Sequence, residues 1–197
     1  MKRIEICGGI ASGKTTLAKL LELNGYNAIY ECFDDNPFLK QFYQQEGRDI
    51  SFETEMVFIL LHYSQIRQRE NRDFVVSDYS MLQDYCYALQ NLNGEQMKLF
   101  KSTYDYLLEQ LCTDNLFIYL KCGTACLIDR IRMRNRDMES SISELYLNHH
   151  IEILEGQLLG ANKVLVIDSE KYDFTGPDNK KVLGMIKEYE VGNRLRQ

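Results

Sequence analysis

Residues 8–15 read Gly8-Gly9-Ile10-Ala11-Ser12-Gly13-Lys14-Thr15, an uninterrupted GxxxxGK[ST] pattern directly behind the apolar run 3–7. Small residues let backbone N–H groups curl around a phosphate, and a helix opening near Gly13 aims its positive dipole end at the same charge. In such a loop Lys14 reaches the β- and γ-phosphates of a nucleoside triphosphate. The Thr15 hydroxyl ligates Mg²⁺, and Thr16 follows in the first helical turn. Strand, glycine-rich loop and helix in this order point to a parallel α/β sheet with its ligand at the carboxyl ends of the strands.

Working outward, further strand-type runs fall at 28–30, 74–77, 116–120 and 164–167. Between and after them, helical spacing occupies 15–23, 52–68, 96–112, 125–134, 143–158 and the polar tail 180–197. This alternation predicts an α/β fold of about five parallel strands with helices on both faces. No repeat or low-complexity linker divides the chain, so 1–197 reads as a single domain. Only Pro37 and Pro177 interrupt it, which permits long helices, and Pro37 is expected at a helix start.

With 197 residues, 45% hydrophobic and 26% charged, the chain is large enough for a substantial core. Its net charge of −6 argues against a broad grip on nucleic acid, which needs a basic face. No apolar run approaches the roughly 18 residues of a membrane span, and glycines arrive too early for a secretory signal. A cytoplasmic protein without membrane or nucleic-acid partners is expected. The six cysteines show no CxxC pair and no histidine at zinc spacing, and read as reduced, mostly buried thiols.

The loop leaves the reaction open. Asn162-Lys163-Val164-Leu165 lacks the aspartate of a guanine-reading NKxD motif, and Asp173-Phe174-Thr175-Gly176 lies on the wrong side of it for a switch GTPase. Phosphoryl transfer to a small molecule needs a carboxylate to take the acceptor's proton and cations for the moving charge. Glu31 closes the second predicted strand, Asp78 the third, on the Mg²⁺ side, and Asp168 is a formal rival on the fifth. Arg130, Arg132, Arg134 and Arg136 crowd into seven residues of an acidic chain. Arg130 and Arg134 share a helix face while Arg132 lies about 200° round, as suits a lid closing over phosphates.

Taken in order, GGIASGKTTL, ECFDDNPFLKQFY, FETEMVFILLHY, VVSDYS and CLIDRIRMRNRDME followed by LYL resemble the deoxynucleoside kinase family, bacterial members above all. The resemblance covers residues 2–174, and NPFLxxFY and the arginine lid (about 130–142) are its most specific parts. It implies a P-loop NTPase three-layer fold with sheet order 2-3-1-4-5, moving the γ-phosphoryl of ATP onto a deoxynucleoside 5′-hydroxyl with Mg²⁺. Gly8, Gly9, Ile10, Ala11, Ser12, Gly13, Lys14, Thr15, Thr16, Arg134 and Arg136 match the ATP side. Glu31 matches the general base, Asp78 the metal-side acid, and Lys14 and Arg130 the catalytic cations. Tyr43, Glu55, Asp84 and Glu139 match the nucleoside side. A homodimer through 52–68 is implied as well.

Three positions depart from the pattern. Tyr79 replaces the arginine of the (D/E)RS motif, so the cation near the base carboxylate is missing or comes from Arg130. Glu55 replaces the base-reading glutamine, and His62 replaces a basic residue that is usually arginine, with Asp84 as its acidic companion. An acceptor at position 55 suits the amines of purines and opposes thymine O4, which favours purine deoxynucleosides. Two other readings share the loop. A nucleoside monophosphate kinase needs a cation near the second strand, where 31–36 offers acids. A non-catalytic ATP sensor has only the three departures in its support.

Overall fold

The computed structural model describes residues 3–44, 49–69, 72, 74–111, 115–136, 139 and 141–194. Strands β1 (Arg3–Gly8), β2 (Asn27–Ile29), β3 (Val75–Ser77), β4 (Asn115–Lys121) and β5 (Val164–Asp168) form one parallel sheet of order β2-β3-β1-β4-β5. This is the α/β P-loop architecture and strand order expected. β1 is central and buried throughout, so both its faces must be covered, as parallel sheets require.

Alternation along β1 sorts the layers. Ile4 and Ile6 pack with Leu17 and Leu21 of α1 (Lys14–Glu22) and with Val182 and Ile186 of α8 (Asn179–Arg194). Cys7 joins the opposite layer with Cys86 of α4 (Met81–Asn91) and Leu154 and Leu158 of α7 (Glu144–Leu158). Beside it, α3 (Ser51–Arg67) and α5 (Gly94–Glu109) contribute Ile59, Ile66, Phe100 and Tyr104. Helix α2 (Leu39–Gln44) precedes α3, and α6 (Thr124–Arg134) carries the first three of the four clustered arginines.

A buried ion pair aligns one site-bearing helix. Glu5 accepts from Arg3 Nε at 2.8 Å and from Asn115 Nδ2 at 3.2 Å, and it also accepts from the Met81 N–H at 2.9 Å. A carboxylate at a helix N-terminus is favoured by the dipole and by the orphan N–H groups there. Ser80 completes that end as N-cap, accepting from Leu82 N–H at 3.2 Å. The central strand thereby fixes α4 and the segment 78–80 in front of it.

Several boundaries shift from the sequence reading. β2 ends at Ile29, so Glu31 stands two residues past the strand instead of closing it. α5 starts at Gly94 under an Asn93–Gln96 capping box and stops at Glu109, and Cys112 lies outside the described residues. Pro37 occupies a turn ahead of α2, not its first helical position. Helix α4 leaves no clear apolar period in the sequence, because its inward face carries buried Gln83 and Asp84.

Candidate active site

The loop after β1 bends where its glycines allow. Gly13 has φ 102, a left-handed conformation that side chains resist, and a Cβ on Gly9 would meet Leu127 Cδ1 at 2.4 Å. Gln83 holds Gly8 from both sides, accepting from its N–H at 3.0 Å and donating to its carbonyl at 2.9 Å. Lys14 Nζ donates to the Gly8 and Gly9 carbonyls at 2.9 and 3.1 Å. Burial lowers the Lys14 pKa, and the charges of Glu31 and Asp78 oppose that shift. Thr15 Oγ1 donates to Asp78 Oδ2 at 2.7 Å, while Asp78 Oδ1 accepts the Glu31 N–H at 2.7 Å. Asp78 therefore ties the phosphate loop directly to the carboxylate-bearing segment after β2.

One cleft of about 820 Å³ spans this loop and Glu31, Tyr43, Glu55, Asp84 and Glu139. Its size suits a drug-sized or nucleotide-sized ligand. Glu31 Oε1 lies 3.4 Å from His62 Nε2, and His62 Nδ1 is 2.8 Å from Asp84 Oδ2. The imidazole stacks on Tyr79 with centroids 3.8 Å apart and 11° between planes. Burial disfavours the imidazolium, but Asp84 and Glu31 outweigh it and push the His62 pKa up to about 10. Glu55, 4% exposed, accepts from Asn91 Nδ2 at 2.7 Å, and burial raises its carboxyl to about 8.

The lid arginines divide by helical face as expected. Arg134 holds Glu139 through Nε at 3.0 Å and through its second terminal nitrogen, and Arg136 reaches the same carboxylate at 3.5 Å. Arg136 also lies over the Phe33 ring at 5.1 Å. Arg132 turns outward to Asp129. Arg130 donates to the Ser12 carbonyl at 3.3 Å and to Ser169 Oγ and O at 3.1 and 2.6 Å. It serves the loop, and among the described residues the ion-pair partner of Glu31 is His62. Asp168 caps its own turn, accepting from the Glu170 and Lys171 N–H groups.

The cleft also contains residues the sequence reading passed over. Tyr87 and Asn91 line it from α4 together with Asp84; spacings of three and seven place them on one helix face. His150 is buried and stacks on Tyr87 at 3.8 Å, with its pKa lowered to about 3 by burial first and Lys14 second. Cys7, Cys86 and Cys122 are buried, Cys126 is half-buried and Cys32 is exposed. No helix of the described residues is long and apolar enough to cross a membrane.

Comparison with known proteins agrees with this geometry. The family model described as deoxynucleoside kinase matches residues 4–189. A deoxyguanosine kinase of Bacillus subtilis is 32% identical over 202 residues, covering 95% of this chain and 97% of that protein. A deoxyadenosine/deoxycytidine kinase of the same species is 28% identical, covering 89% and 86%. The structure of deoxyadenosine kinase from M. mycoides with bound dATP superposes with a TM-score of 0.72 at 25% identity, covering 99% of this chain and 100% of that one. With a match across most of its length and a phosphate loop facing a carboxylate-lined cleft, this chain belongs to the deoxynucleoside kinase family and is a nucleoside-phosphorylating transferase.

Proposed function

We propose that the chain transfers the γ-phosphoryl of ATP to the 5′-hydroxyl of a purine deoxynucleoside, deoxyguanosine first, in cytoplasmic nucleoside salvage. The observation that carries this reading is the chain of contacts Thr15–Asp78–Glu31, which sets one carboxylate beside the phosphate loop within a single cleft. ATP docks on 8–16, with Lys14 leaving the loop carbonyls for phosphate oxygens. Glu31 receives the proton as the 5′-oxygen attacks phosphorus and the bond to the β-phosphate breaks. Arg130, Arg134 and Arg136 carry the moving charge, and lid closure keeps out water.

The hydroxyl and carboxylate of Thr15 and Asp78 are hard oxygen donors beside the loop and fit Mg²⁺. Bound there, the ion neutralises charge on the β- and γ-phosphate oxygens. Tyr43 and Glu139 hold the sugar, while Glu55 and Asp84 face the base. The similarity to a deoxyguanosine kinase supports the purine assignment, as does an acceptor at position 55. A nucleoside monophosphate kinase is disfavoured, because the acidic segment 31–36 offers no cation for an acceptor phosphate. We also assign a homodimer to residues 52–68, where Leu60 of α3 is 46% exposed.

Incubation with ATP, Mg²⁺ and each of dA, dG, dC, dT and their monophosphates, followed by ADP release, tests this reading. Turnover fastest with dG or dA is expected. Turnover confined to monophosphates, or none with intact ATP binding, would replace it with one of the two rivals.

A further inference from the structure

We propose that His62, seated on the Tyr79 ring, is the cationic positioning residue for Glu31, holding its carboxylate toward the acceptor hydroxyl. This inference rests on the reading of Glu31 as proton acceptor. The geometry is specific: Nδ1 is 2.8 Å from Asp84 Oδ2, and Nε2, buried and without a hydrogen-bond partner among the described residues, lies within ion-pair distance of Glu31 Oε1 at 3.4 Å. Tyr79 stacks on the ring at 3.8 Å and 11°, and Phe58 lies against it at 5.6 Å and 34°. Tyr79 Oη also donates to the His62 carbonyl at 3.4 Å. His62 is only 3% exposed, so the ring is enclosed by these neighbours.

The surrounding charges require a cation there. Asp84 from α4 and Glu31 from the segment after β2 act on the ring, whereas Glu55 on α3 is held protonated by burial up to about pH 8. Tyr79, beyond β3, contributes a neutral face. Without a positive centre, Asp84 and Glu31 would repel across the cleft, and Glu31 would turn toward solvent or Lys14. With His62 charged, Glu31 keeps a fixed position. Once it takes the hydroxyl proton, the His62–Asp84 pair remains balanced and no buried charge is left alone. Positions 62 and 79 thus act as a pair, with an aromatic floor at one and a protonatable ring at the other.

The test uses the intact protein and the variants His62→Asn, which retains an N–H for Asp84 without a charge, and His62→Asn/Tyr79→Arg, which returns a cation from the neighbouring position. A misplaced catalytic group costs roughly 10²-fold, so kcat of His62→Asn should fall by about that factor with the KM for ATP unchanged. The double variant should recover about ten-fold of the loss. Nitrogen-15 NMR of the imidazole in the intact protein should show both ring nitrogens protonated at pH 7.5. A neutral ring at that pH, a His62→Asn enzyme within three-fold of the parent, or no recovery in a folded double variant overturns the inference. If the intact protein phosphorylates no nucleoside, the parent reading fails instead, and the NMR result still reports on the ion pair.

Discussion

Asn91 Nδ2 donates to Glu55 Oε1 at 2.7 Å, which satisfies one oxygen of a carboxyl that burial holds protonated up to about pH 8. In the unfolded chain the same group ionises near 4.5. Between these values the unfolded state has released a proton that the native state retains, so native stability falls as pH rises from about 4.5 to about 8 and then levels off. Glu55→Gln removes this dependence. Its melting temperature should match the parent near pH 4.5 and exceed it by about 10 °C or more at pH 9, given about 1.4 kcal/mol per pKa unit and about 2–4 °C per kcal/mol in a domain of this size. A constant offset across thermal scans at these pH values would contradict the assignment.

Substrate choice should follow the same proton. In the proposed binding mode an ionised Glu55 would accept from both N1–H and the 2-amino group of guanine, whereas the protonated form would donate to adenine N1 and accept from its 6-amino group. Below pH 8, deoxyguanosine binding must release the proton, which changes affinity by up to about ten-fold per pH unit. The ratio of kcat/KM for deoxyguanosine over deoxyadenosine should therefore rise about ten-fold or more from pH 6 to pH 8.5. In Glu55→Gln the ratio should be flat. A pH-independent ratio in the parent would remove Glu55 from base recognition.

Asp78 accepts from Thr15 through one oxygen and from the Glu31 N–H through the other. Asp78→Asn retains a carbonyl acceptor but removes the charge that suits a divalent ion. Titrating Mg²⁺ at saturating ATP should show the half-maximal concentration rising about ten-fold or more, with kcat reduced at every point. An unchanged Mg²⁺ dependence would place the ion elsewhere.

Much of this arrangement was legible in the sequence, for identifiable reasons. The phosphate loop is contiguous in sequence, and the strands show as short, mostly apolar runs. Lid arginines 130, 132 and 134 could be sorted by helical angle alone, and the contacts to Ser169, Asp129 and Glu139 follow that sorting. Helix α4 was hidden because buried polar residues, Gln83 and Asp84, occupy its inward face. The partner of Glu31 was hidden differently. It is 31 residues away in sequence on α3, and only the packing of α3 against the segment after β3 brings His62 onto Tyr79 and toward Glu31.

Glu31 offers the most direct test of the chemistry. Glu31→Gln keeps shape and hydrogen bonding but cannot take a proton, so kcat should fall by roughly 10² to 10⁴. Binding of a fluorescent ATP analogue should be preserved, since the loop and Lys14 are untouched. Near-parental turnover in this variant would exclude Glu31 as the base.

In the proposed lid, Arg134 and Glu139 would have two separable roles. Glu139 is 4% exposed and bonded to Arg134 Nε at 3.0 Å, and the charge of Arg134 also bears on Lys14 in the phosphate loop. The pair thus stands where the nucleoside and phosphate halves of the cleft meet. On closure, Glu139 would turn to the sugar hydroxyl and Arg134 to phosphate, each exchanging one charged partner for another at little electrostatic cost. Glu139→Gln should then raise the KM for deoxynucleoside about ten-fold while the KM for ATP stays constant. Arg134→Gln should lower kcat by roughly 10²-fold, because a cation on the moving phosphoryl group acts chiefly in the transition state. Steady-state kinetics with each substrate varied in turn separates these effects. A Glu139→Gln enzyme altered only toward ATP would show that the carboxylate merely parks the arginine.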